Sequence, residues 1–248
     1  MSIQRRKEIV AYLGQESELS VEELAHRLEV SEVTVRRDLA DLEKQGMITR
    51  MRGGAALPLR GIEPMFNQRR KENLELKQKI AAYAASQIQS GEVVALDVGT
   101  TTAELAKELL IRDDITIFTS SFQVASILAK SRLQVYMIGG YIRKSELSMV
   151  GSIALETIMK FNFDRFYMGL ASVCDEGGPT DYSIEEAEVK RAFIERSKKV
   201  IAVVDKTKFG STSLVKICDF EAIDELVTNN EAENLPSKLQ SFGKITMV

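Results

Sequence analysis

One segment of this 248-residue chain combines the residue types that bind a phosphate group. It reads Asp97-Val98-Gly99-Thr100-Thr101-Thr102, follows a short apolar run and precedes a pattern typical of a helix. A glycine lets the backbone approach an anion closely, and the first turn of a helix offers unpaired N–H groups at the positive end of the helix dipole. The threonine hydroxyls add hydrogen-bond donors. The segment therefore predicts a turn that holds an anion.

Three further segments place polar or charged residues after apolar runs. They are Thr119-Ser120-Ser121, Gly139-Gly140-Tyr141-Ile142-Arg143 and Asp205-Lys206-Thr207-Lys208-Phe209-Gly210. Each alone is common as a cap or a turn, but several at one end of a sheet favour a small polar ligand, and a guanidinium suits phosphate oxygens. No segment matches the phosphate loop of nucleotide hydrolases or the dinucleotide fingerprint, which disfavours those functions. The candidate ligand-binding residues are Asp97, Gly99, Thr100, Thr101, Thr102, Ser120, Ser121, Gly139, Gly140, Arg143, Asp205 and Lys208.

The elements that must position these segments alternate between apolar runs and helical patterns. Several runs are continuously apolar, as in strands covered on both faces, and the alternation predicts an α/β domain with a mostly parallel sheet. Ligands bind such sheets at the carboxyl ends of the strands, where the polar segments lie. The predicted strands are 93–96, 115–118, 135–138, 163–168, 200–204 and 222–227, and the predicted helices are 68–89, 101–110, 122–129, 153–160 and 184–196.

A second group of candidate residues lies near the N-terminus, in residues 30–39. Ser31 is a good N-cap residue for a helix with one apolar face. Thr34, Arg36 and Arg37 fall on other faces, from which they can reach a nucleic acid. The segment therefore predicts a DNA-recognition helix. The apolar positions that predict its buried face are Val35, Leu39 and Leu42.

The flanking segments predict a winged helix-turn-helix. Residues 2–15 indicate a first helix, and Ser20-Val21-Glu22-Glu23 has the form of a capping box that begins a second. After Gln45-Gly46, alternation over 47–52 and the pair Gly53-Gly54 predict a small β-wing. Its arginines would project together toward phosphates, while the recognition helix enters the major groove. The candidate residues for binding double-stranded operator DNA are Ser31, Thr34, Arg36, Arg37, Arg50 and Arg52.

Composition excludes several classes of protein. Hydrophobic residues make up 44% and charged residues 28%, as in ordinary globular proteins. The net charge of −3 means that DNA binding would depend on local basic clusters and fall steeply with salt. Two distant cysteines and one histidine argue against a metal site or a disulfide framework, and predict free thiols in a reducing cytoplasm. We expect no cofactor, and the lack of a signal core or long apolar run predicts no membrane association.

Residues 1–57 resemble the winged helix-turn-helix of the DeoR family of bacterial transcriptional regulators. The resemblance rests on Ser20-Val21-Glu22-Glu23-Leu24, on the ten residues 30–39 (Val-Ser-Glu-Val-Thr-Val-Arg-Arg-Asp-Leu), and on Arg52-Gly53-Gly54-Ala55. It implies a sequence-specific transcriptional regulator, with repression as the family habit.

Residues 74–228 resemble the effector domain of the same family. This resemblance implies a fold similar to ribose-5-phosphate isomerase and a phosphorylated sugar or related metabolite as the effector. It also implies that Gly99-Thr100-Thr101 holds the phosphate, while Asp205 and Lys208 contact the sugar end. The chain departs from the family at Thr119-Ser120-Ser121, where an asparagine is frequent, and at residues 180–183. The segments that carry the resemblance are residues 77–81, Asp97-Val98-Gly99-Thr100-Thr101, Gly139-Gly140, Val150-Gly151, residues 185–192 and 205–210.

Two functional hypotheses remain open at this stage. In the first, the chain is a repressor of carbohydrate-utilisation genes, and a bound sugar phosphate changes its affinity for the operator. In the second, the C-terminal domain is a working sugar-phosphate isomerase, which needs a carboxylate base beside the substrate carbon. The central stretch 166–172 has no acid before Asp175, which argues against catalysis, although Asp97 and Asp205 remain possible bases. We expect a regulator and not an enzyme.

The expected organisation has three parts. Residues 1–57 form the DNA-binding domain, 58–73 a linker, and 74–248 an α/β domain for effector sensing and oligomerisation. Because helix-turn-helix proteins usually bind paired half-sites as two-fold dimers, we expect a homo-oligomer, either a dimer or a tetramer.

Overall fold

The N-terminal unit packs helices against a small antiparallel sheet. The computed structural model describes residues 2–16, 18–44, 48–56, 66–229, 235–241 and 244–248, and the chain divides into the units Met1–Ile62 and Glu63–Val248. In order, the first unit contains α1 (Ser2–Gln15), β1 (Glu18–Ser20), α2 (Val21–Arg27), α3 (Glu32–Lys44), β2 (Thr49–Met51) and β3 (Gly54–Ala56). The strands are ordered β1-β3-β2.

The predicted helix-turn-helix is confirmed. The first helix has the predicted bounds, and α2 begins with the predicted capping box, in which Ser20 Oγ accepts from Glu23 N and the Glu23 carboxylate accepts from Ser20 N. One apolar side of each helix turns inward, which is how such short helices become stable. The largest fully buried side chains of this unit are Ile9, Leu13, Leu24, Leu39 and Leu42.

The wing differs from the prediction in two respects. Arg52 lies in the turn between β2 and β3, so the expectation that it shares a strand face with Arg50 was wrong. A third strand, β1, pairs Leu19 with Ala55, and a Cβ at Gly54 would collide with the carbonyl oxygen of Leu19. Three residues are too few to show a strand period, which is why sequence reasoning missed β1. The predicted start of the wing at residues 45–47 lies outside the described residues.

The C-terminal unit contains the predicted parallel sheet. Its seven described strands are all parallel to their neighbours. From one edge to the other they are β15 (Ile245–Met247), β14 (Glu225–Thr228), β12 (Ser197–Val203), β9 (Phe163–Met168), β4 (Val93–Leu96), β5 (Thr116–Thr119) and β6 (Gln134–Met137). Helices cover both faces and enclose two apolar clusters, as the continuously apolar strands require. The α/β fold class is therefore confirmed.

The helices between the strands agree with the predictions to within about two residues, with one exception. The single helix predicted over 68–89 is two helices, α4 (Phe66–Lys71) and α5 (Leu74–Ser86), separated by a break at Asn73. Asn73 has φ +52°, a left-handed conformation that ends α4 and that asparagine tolerates well. The helices of this unit are α4 (Phe66–Lys71), α5 (Leu74–Ser86), α6 (Thr100–Glu108), α7 (Phe122–Leu128), α8 (Ser152–Ile158), α9 (Ile184–Glu195) and α10 (Ser237–Ser241).

Two small antiparallel sheets were not predicted. One is the hairpin of β7 (Tyr141–Arg143) and β8 (Ser148–Val150), and the other joins β10 (Ser172–Cys174), β11 (Gly178–Asp181) and β13 (Val215–Lys216). All these strands are too short to show a period.

Two further observations concern the chain as described. Residues 58–65 of the predicted linker lie outside the described residues, and α4 occupies most of its remainder. None of the helices that the structure describes is long and apolar enough to cross a membrane.

Candidate functional site

The exposed side of α3 presents the predicted DNA-contacting residues. Ser31 caps the helix, because its Oγ accepts a hydrogen bond from Thr34 N at 3.3 Å and lies 2.9 Å from Thr34 Oγ1. Arg36 and Arg37 are exposed, and Arg36 is paired with Glu32 at 2.7 Å. Val33, which sequence reasoning did not select, is 73% exposed on the same helix. An exposed apolar residue there is suited to contact a thymine methyl group.

A buried carboxylate ties the first helix to the recognition helix. Asp38 of α3 is 2% exposed and accepts from Arg5 Nε at 2.5 Å and from Arg6 Nε at 3.2 Å. Arg6 is also paired with Asp41. These contacts position α3 and also place two cationic side chains beside Thr34 and Arg37. The Arg5-Arg6 cluster was visible in the sequence, but its partner lies 32 residues or more away along the chain.

The wing adds two exposed arginines. Arg50 lies on β2 with Nη1 3.8 Å from Glu43, and Arg52 is exposed in the following turn. An ion pair this exposed contributes little to stability, so Arg50 remains available to a phosphate.

A cavity opens at the carboxyl ends of the central strands. The space between its walls, including the part open to solvent, is about 510 Å³. Both charged and hydroxyl groups face it. The polar side chains and glycines that line it are Arg69, Gly99, Thr100, Thr101, Thr102, Glu146, Gly169, Asp181, Tyr182, Glu186, Lys190 and Lys208.

One wall of the cavity is the beginning of α6. Gly99 has φ +153°, and a Cβ built there would lie 3.3 Å from Thr102 Oγ1, so the turn favours glycine. Thr102 Oγ1 donates to Gly99 O at 3.0 Å and closes the turn. No side chain among the described residues caps the first turn of α6. Its backbone N–H groups therefore suit an anion in the cavity.

Lys190 of α9 lies among three carboxylates at the floor of the cavity. It contacts Asp97 directly, and its Nζ is 3.4 Å from Asp181 Oδ2. Burial alone would lower the pKa of Lys190, but Asp97, Asp181 and Glu186 together raise it, so the ammonium stays charged. Asp97 Oδ2 also accepts from Gly169 N at 2.9 Å. The cluster links β4, β11 and α9.

Glu186 is a second buried acid of this wall, beside Asp97, whose pKa burial also raises. It is 1% exposed, accepts a hydrogen bond from Ser148 Oγ and has Oε1 3.5 Å from Arg143 Nη1. Burial raises the pKa of Glu186 to about 7. Within the described residues, Glu186 Oε2 and Asp97 Oδ1 are buried without a hydrogen-bond partner. Buried acceptors of this kind favour a ligand that carries hydroxyl donors.

Arg69 reaches the cavity from α4, where it forms an ion pair with Glu146. Lys77 holds the end of α4, since its Nζ donates to Arg69 O at 2.5 Å and to Glu72 O at 2.7 Å. Burial lowers the pKa of Lys77 to about 8. Lys77 is therefore a positioning residue for Arg69, and Asp205, 3.9 Å from its Nζ, offsets part of the burial.

Two family models match the chain and together cover most of it. A DeoR-like helix-turn-helix domain matches residues 5–60, and the DeoR C terminal sensor domain matches residues 72–230. The chain belongs to the DeoR family.

Similar curated proteins include named transcriptional regulators that match this chain over most of their own length. The glycerol-3-phosphate regulon repressor of Escherichia coli is 32% identical over 227 residues, which cover 91% of this chain and 90% of that protein. The HTH-type transcriptional repressor GlcR of Bacillus subtilis is 36% identical over 223 residues, covering 89% and 86%. The HTH-type transcriptional regulator GolR of Listeria innocua is 34% identical over 244 residues, covering 97% and 96%.

Solved structures that match part of the chain include ribose 5-phosphate isomerase A from Methanocaldococcus jannaschii. That chain matches at a TM-score of 0.42 and 16% identity, over 55% of this chain and 54% of its own.

The cavity of this DeoR-family protein contains only some of the predicted ligand residues. Gly99, Thr100, Thr101, Thr102 and Lys208 line it, and Asp97 lies directly behind it on Lys190. Asp205 does not line the cavity; its Oδ1 accepts from Thr207 N and Oγ1 at 3.0 and 2.6 Å. The other predicted residues that do not line it are Ser120, Ser121, Gly139, Gly140 and Arg143.

The residues off the cavity still have identifiable structural roles. Ser121 caps α7, since its Oγ accepts from Val124 N at 3.2 Å, and a Cβ at Gly140 would meet Val150 O at 2.7 Å. Arg143 approaches the cavity indirectly through Glu186.

Sequence reasoning missed several charged residues of the cavity. One signal was present: Glu186 and Lys190 are four residues apart and therefore share one face of the predicted helix. Arg69 and Glu146 offered no local signal, because their contact joins the segment before the sheet to a turn between two short strands. The charged residues missed are Arg69, Glu146, Glu186 and Lys190, whereas Asp181 belongs to the segment 180–183 that departs from the family pattern.

Proposed function

We propose that this chain represses carbohydrate-utilisation genes, and that a phosphorylated sugar or related metabolite bound in the cavity weakens its hold on operator DNA. The observation that carries the proposal is that the uncapped first turn of α6 lines the same cavity as Glu186, a buried carboxyl group with an unused oxygen. One end of such a site suits a phosphate and the other suits hydroxyl groups.

The phosphate end is formed by the Gly99 turn, with cationic side chains nearby. Arg69, Lys190 and Lys208 all line the same cavity as Thr100. Lys190 is already shared among three carboxylates and Arg69 is paired with Glu146, whereas burial lowers the pKa of Lys208, so an added anion would favour the charged form of Lys208.

The DNA-binding end is formed by α3 and the wing. Ser31, Thr34, Arg36 and Arg37 would contact the major groove and its phosphates, and Arg50 and Arg52 the flanking backbone. A homo-oligomer would present two such surfaces to paired half-sites. The names of similar proteins, a glycerol-3-phosphate regulon repressor among them, support a sugar-linked regulon.

A second candidate function is sugar-phosphate isomerisation in the same cavity. Glu186 favours it, because a buried carboxyl group with a pKa of about 7 is suited to general base catalysis. Against it, Glu186 Oε1 is already engaged by Ser148 and Arg143, and the similar full-length proteins carry the names of regulators. We therefore propose a sensor without turnover.

A thermal-shift screen of the whole chain tests the ligand. The panel contains glycerol 3-phosphate, hexose 1- and 6-phosphates and the unphosphorylated parents. Stabilisation by a phosphate ester but not by its parent is expected, because ligands of the folded state raise its unfolding temperature. The operator is obtained by selection from random duplexes, and the same ester should release it. An ester that is converted to another sugar phosphate would instead establish the isomerase, and no stabilisation by any ester would refute the phosphate site.

A further inference from the structure

The edge of the parallel sheet at β6 lacks the usual protection of an exposed strand. β6 pairs with β5 on one side and, among the described residues, with no strand on the other. Its sequence, Gln-Val-Tyr-Met, contains no charged residue and no proline, although exposed edges commonly carry them to prevent unwanted pairing. Tyr136 and Met137 are both exposed. The edge therefore has the character of a strand that another chain covers.

Apolar side chains continue from β6 onto one face of the sheet. The Tyr136 ring stacks on Phe118 with centroids 4.7 Å apart, and Phe118 contacts Phe161 at the same centroid distance. Phe118 is buried, whereas Tyr136 and Phe161 are 50% and 37% exposed. The two exposed rings thus belong to one contiguous surface.

The surface also extends along the chain into the β7–β8 hairpin. Tyr141 and Ile142 on β7 are 71% and 49% exposed, and Leu147 at the hairpin turn is also exposed. Leu147 O accepts from Phe122 N at 2.9 Å, which brings the exposed Phe122 ring to the same place. Ile153, 64% exposed, follows β8 in the first turn of α8.

The extent of this surface suits association with a protein. We call it the β6 patch: the apolar side chains exposed on β6 and on the β7–β8 hairpin, together with Phe122, Ile153 and Phe161. Their exposed fractions, applied to roughly 200 Å² for each aromatic and about 150 Å² for each aliphatic side chain, sum to on the order of 700 Å², shared between the two sides of the sheet edge because adjacent strand residues face opposite ways. A stable interface buries about 800 Å² on each partner, whereas exposed apolar patches on monomers rarely exceed a few hundred Å². At the opposite edge of the sheet, Met247 is the only large apolar side chain exposed among the described residues of β15.

We propose that the β6 patch is the surface through which two copies of this chain associate, with their β6 strands side by side and antiparallel about a two-fold axis. A two-fold interface joins the same patch on both copies, so an apolar patch with an open strand edge is self-complementary. The inference rests on one part of the proposed function, namely that the protein acts as a homo-oligomer. It adds which surface joins the copies.

The test compares the mass of the whole chain with that of single variants, by light scattering and sedimentation over a range of concentrations. Tyr141→Glu and Ile153→Glu each place a charge in the patch and line no part of the cavity. The matched control is Ile111→Glu, since Ile111 is 93% exposed on a separate short helix, Leu109–Ile111. Circular dichroism verifies that each variant folds. Glutamate is favourable in the first turn of a helix, so Ile153→Glu should disturb α8 little.

The expected result is an oligomer for the wild type and the control, and half that mass for each patch variant. An oligomer that persists unchanged in both patch variants would overturn the assignment of the surface while leaving oligomeric function intact. A wild-type chain that remains monomeric at every concentration would overturn both. Dissociation of the Ile111→Glu control to the same degree would also count against the patch, because the effect would not be local.

Discussion

The ammonium of Lys190 on α9 contacts the carboxylate of Asp97, which directly follows β4, and both side chains are buried. Asp181 and Glu186 complete the negative surroundings of this one cation. A buried charge needs its partners, so the cluster joins separate elements only while Lys190 is present. Asp181 and Glu186 also line the cavity, so the groups that stabilise the domain are the same groups that would face a ligand.

Replacing Lys190 by methionine should therefore destabilise the protein strongly. Lys190→Met leaves the carboxylates buried without their cation, and we expect a loss of about 3–5 kcal/mol in the free energy of unfolding. Urea denaturation followed by circular dichroism measures it. The control is Lys198→Met, since Lys198 is exposed and pairs with Asp164 at the surface, where an ion pair adds little and a much smaller loss is expected. Equal losses in the two variants would contradict the structural role of Lys190.

Glu186 should make the stability of the protein depend on pH. The folded state keeps its proton up to a pKa of about 7, whereas the unfolded state loses it near 4.5. Between these values the folded state binds more protons, so stability falls as pH rises from 4.5 to 7, by on the order of 3 kcal/mol in total. The Glu186→Gln variant should lack this component.

The measurement is the difference in unfolding free energy between wild type and Glu186→Gln across that pH range. Glu188→Gln, an exposed change on the same helix, is the control and should show no such slope. A wild-type curve parallel to that of Glu186→Gln would mean that Glu186 titrates as an ordinary surface acid.

The two groups of DNA-contacting arginines should differ in kind. Arg37→Ala, on α3, should weaken operator binding at least tenfold and relax its sequence preference if Arg37 reads a base. Arg50→Ala, on the wing, should weaken binding to all duplexes about equally and reduce the salt slope by about 1. Fluorescence anisotropy with operator and scrambled duplexes at several salt concentrations separates the two. Arg132→Ala, an exposed arginine of the other unit, is the control, and wild-type affinity in both test variants would refute the recognition surface.

The phosphate turn can be tested without disturbing the DNA-binding unit. Thr101→Val removes one hydroxyl at nearly constant volume, and Lys208→Ala removes one cation from the cavity wall. Both should keep operator affinity and lose the stabilisation by the sugar phosphate, because each removes a partner of the anion. Thr116→Val, at the opposite end of the sheet, is the control. A normal ligand response in both test variants would show that the ligand binds elsewhere.

The local patterns that predicted the elements had a clear physical basis. The capping box at Ser20, the periodic apolar face through Leu39 and the runs at 93–96 and 163–168 depend on neighbours within one helix turn or one strand. The break at Asn73 escaped prediction because asparagine tolerates both helical and left-handed backbone, and the ends of α4 depend on Lys77.

In the ligand site, too, some residues follow from a local sequence pattern and others are brought together only by the fold. Gly99 and the threonines after it were recognisable because the turn proposed to bind phosphate is a continuous segment. Asp205 was expected at the ligand, but in the fold it caps its own turn and lies near Lys77.

By itself, the sequence determined the two units, the strand-helix alternation typical of a parallel sheet and the turn at Gly99, since these follow from residue patterns within short segments. Only the tertiary structure decided that Lys190 is surrounded by Asp97, Asp181 and Glu186, and that Arg5 and Arg6 share Asp38. Those groups come from distant segments, and the free energy of a buried charge depends on what surrounds it in space. Sheet order likewise left β6 at an open edge, because which strand lies outermost depends on pairing among all of them.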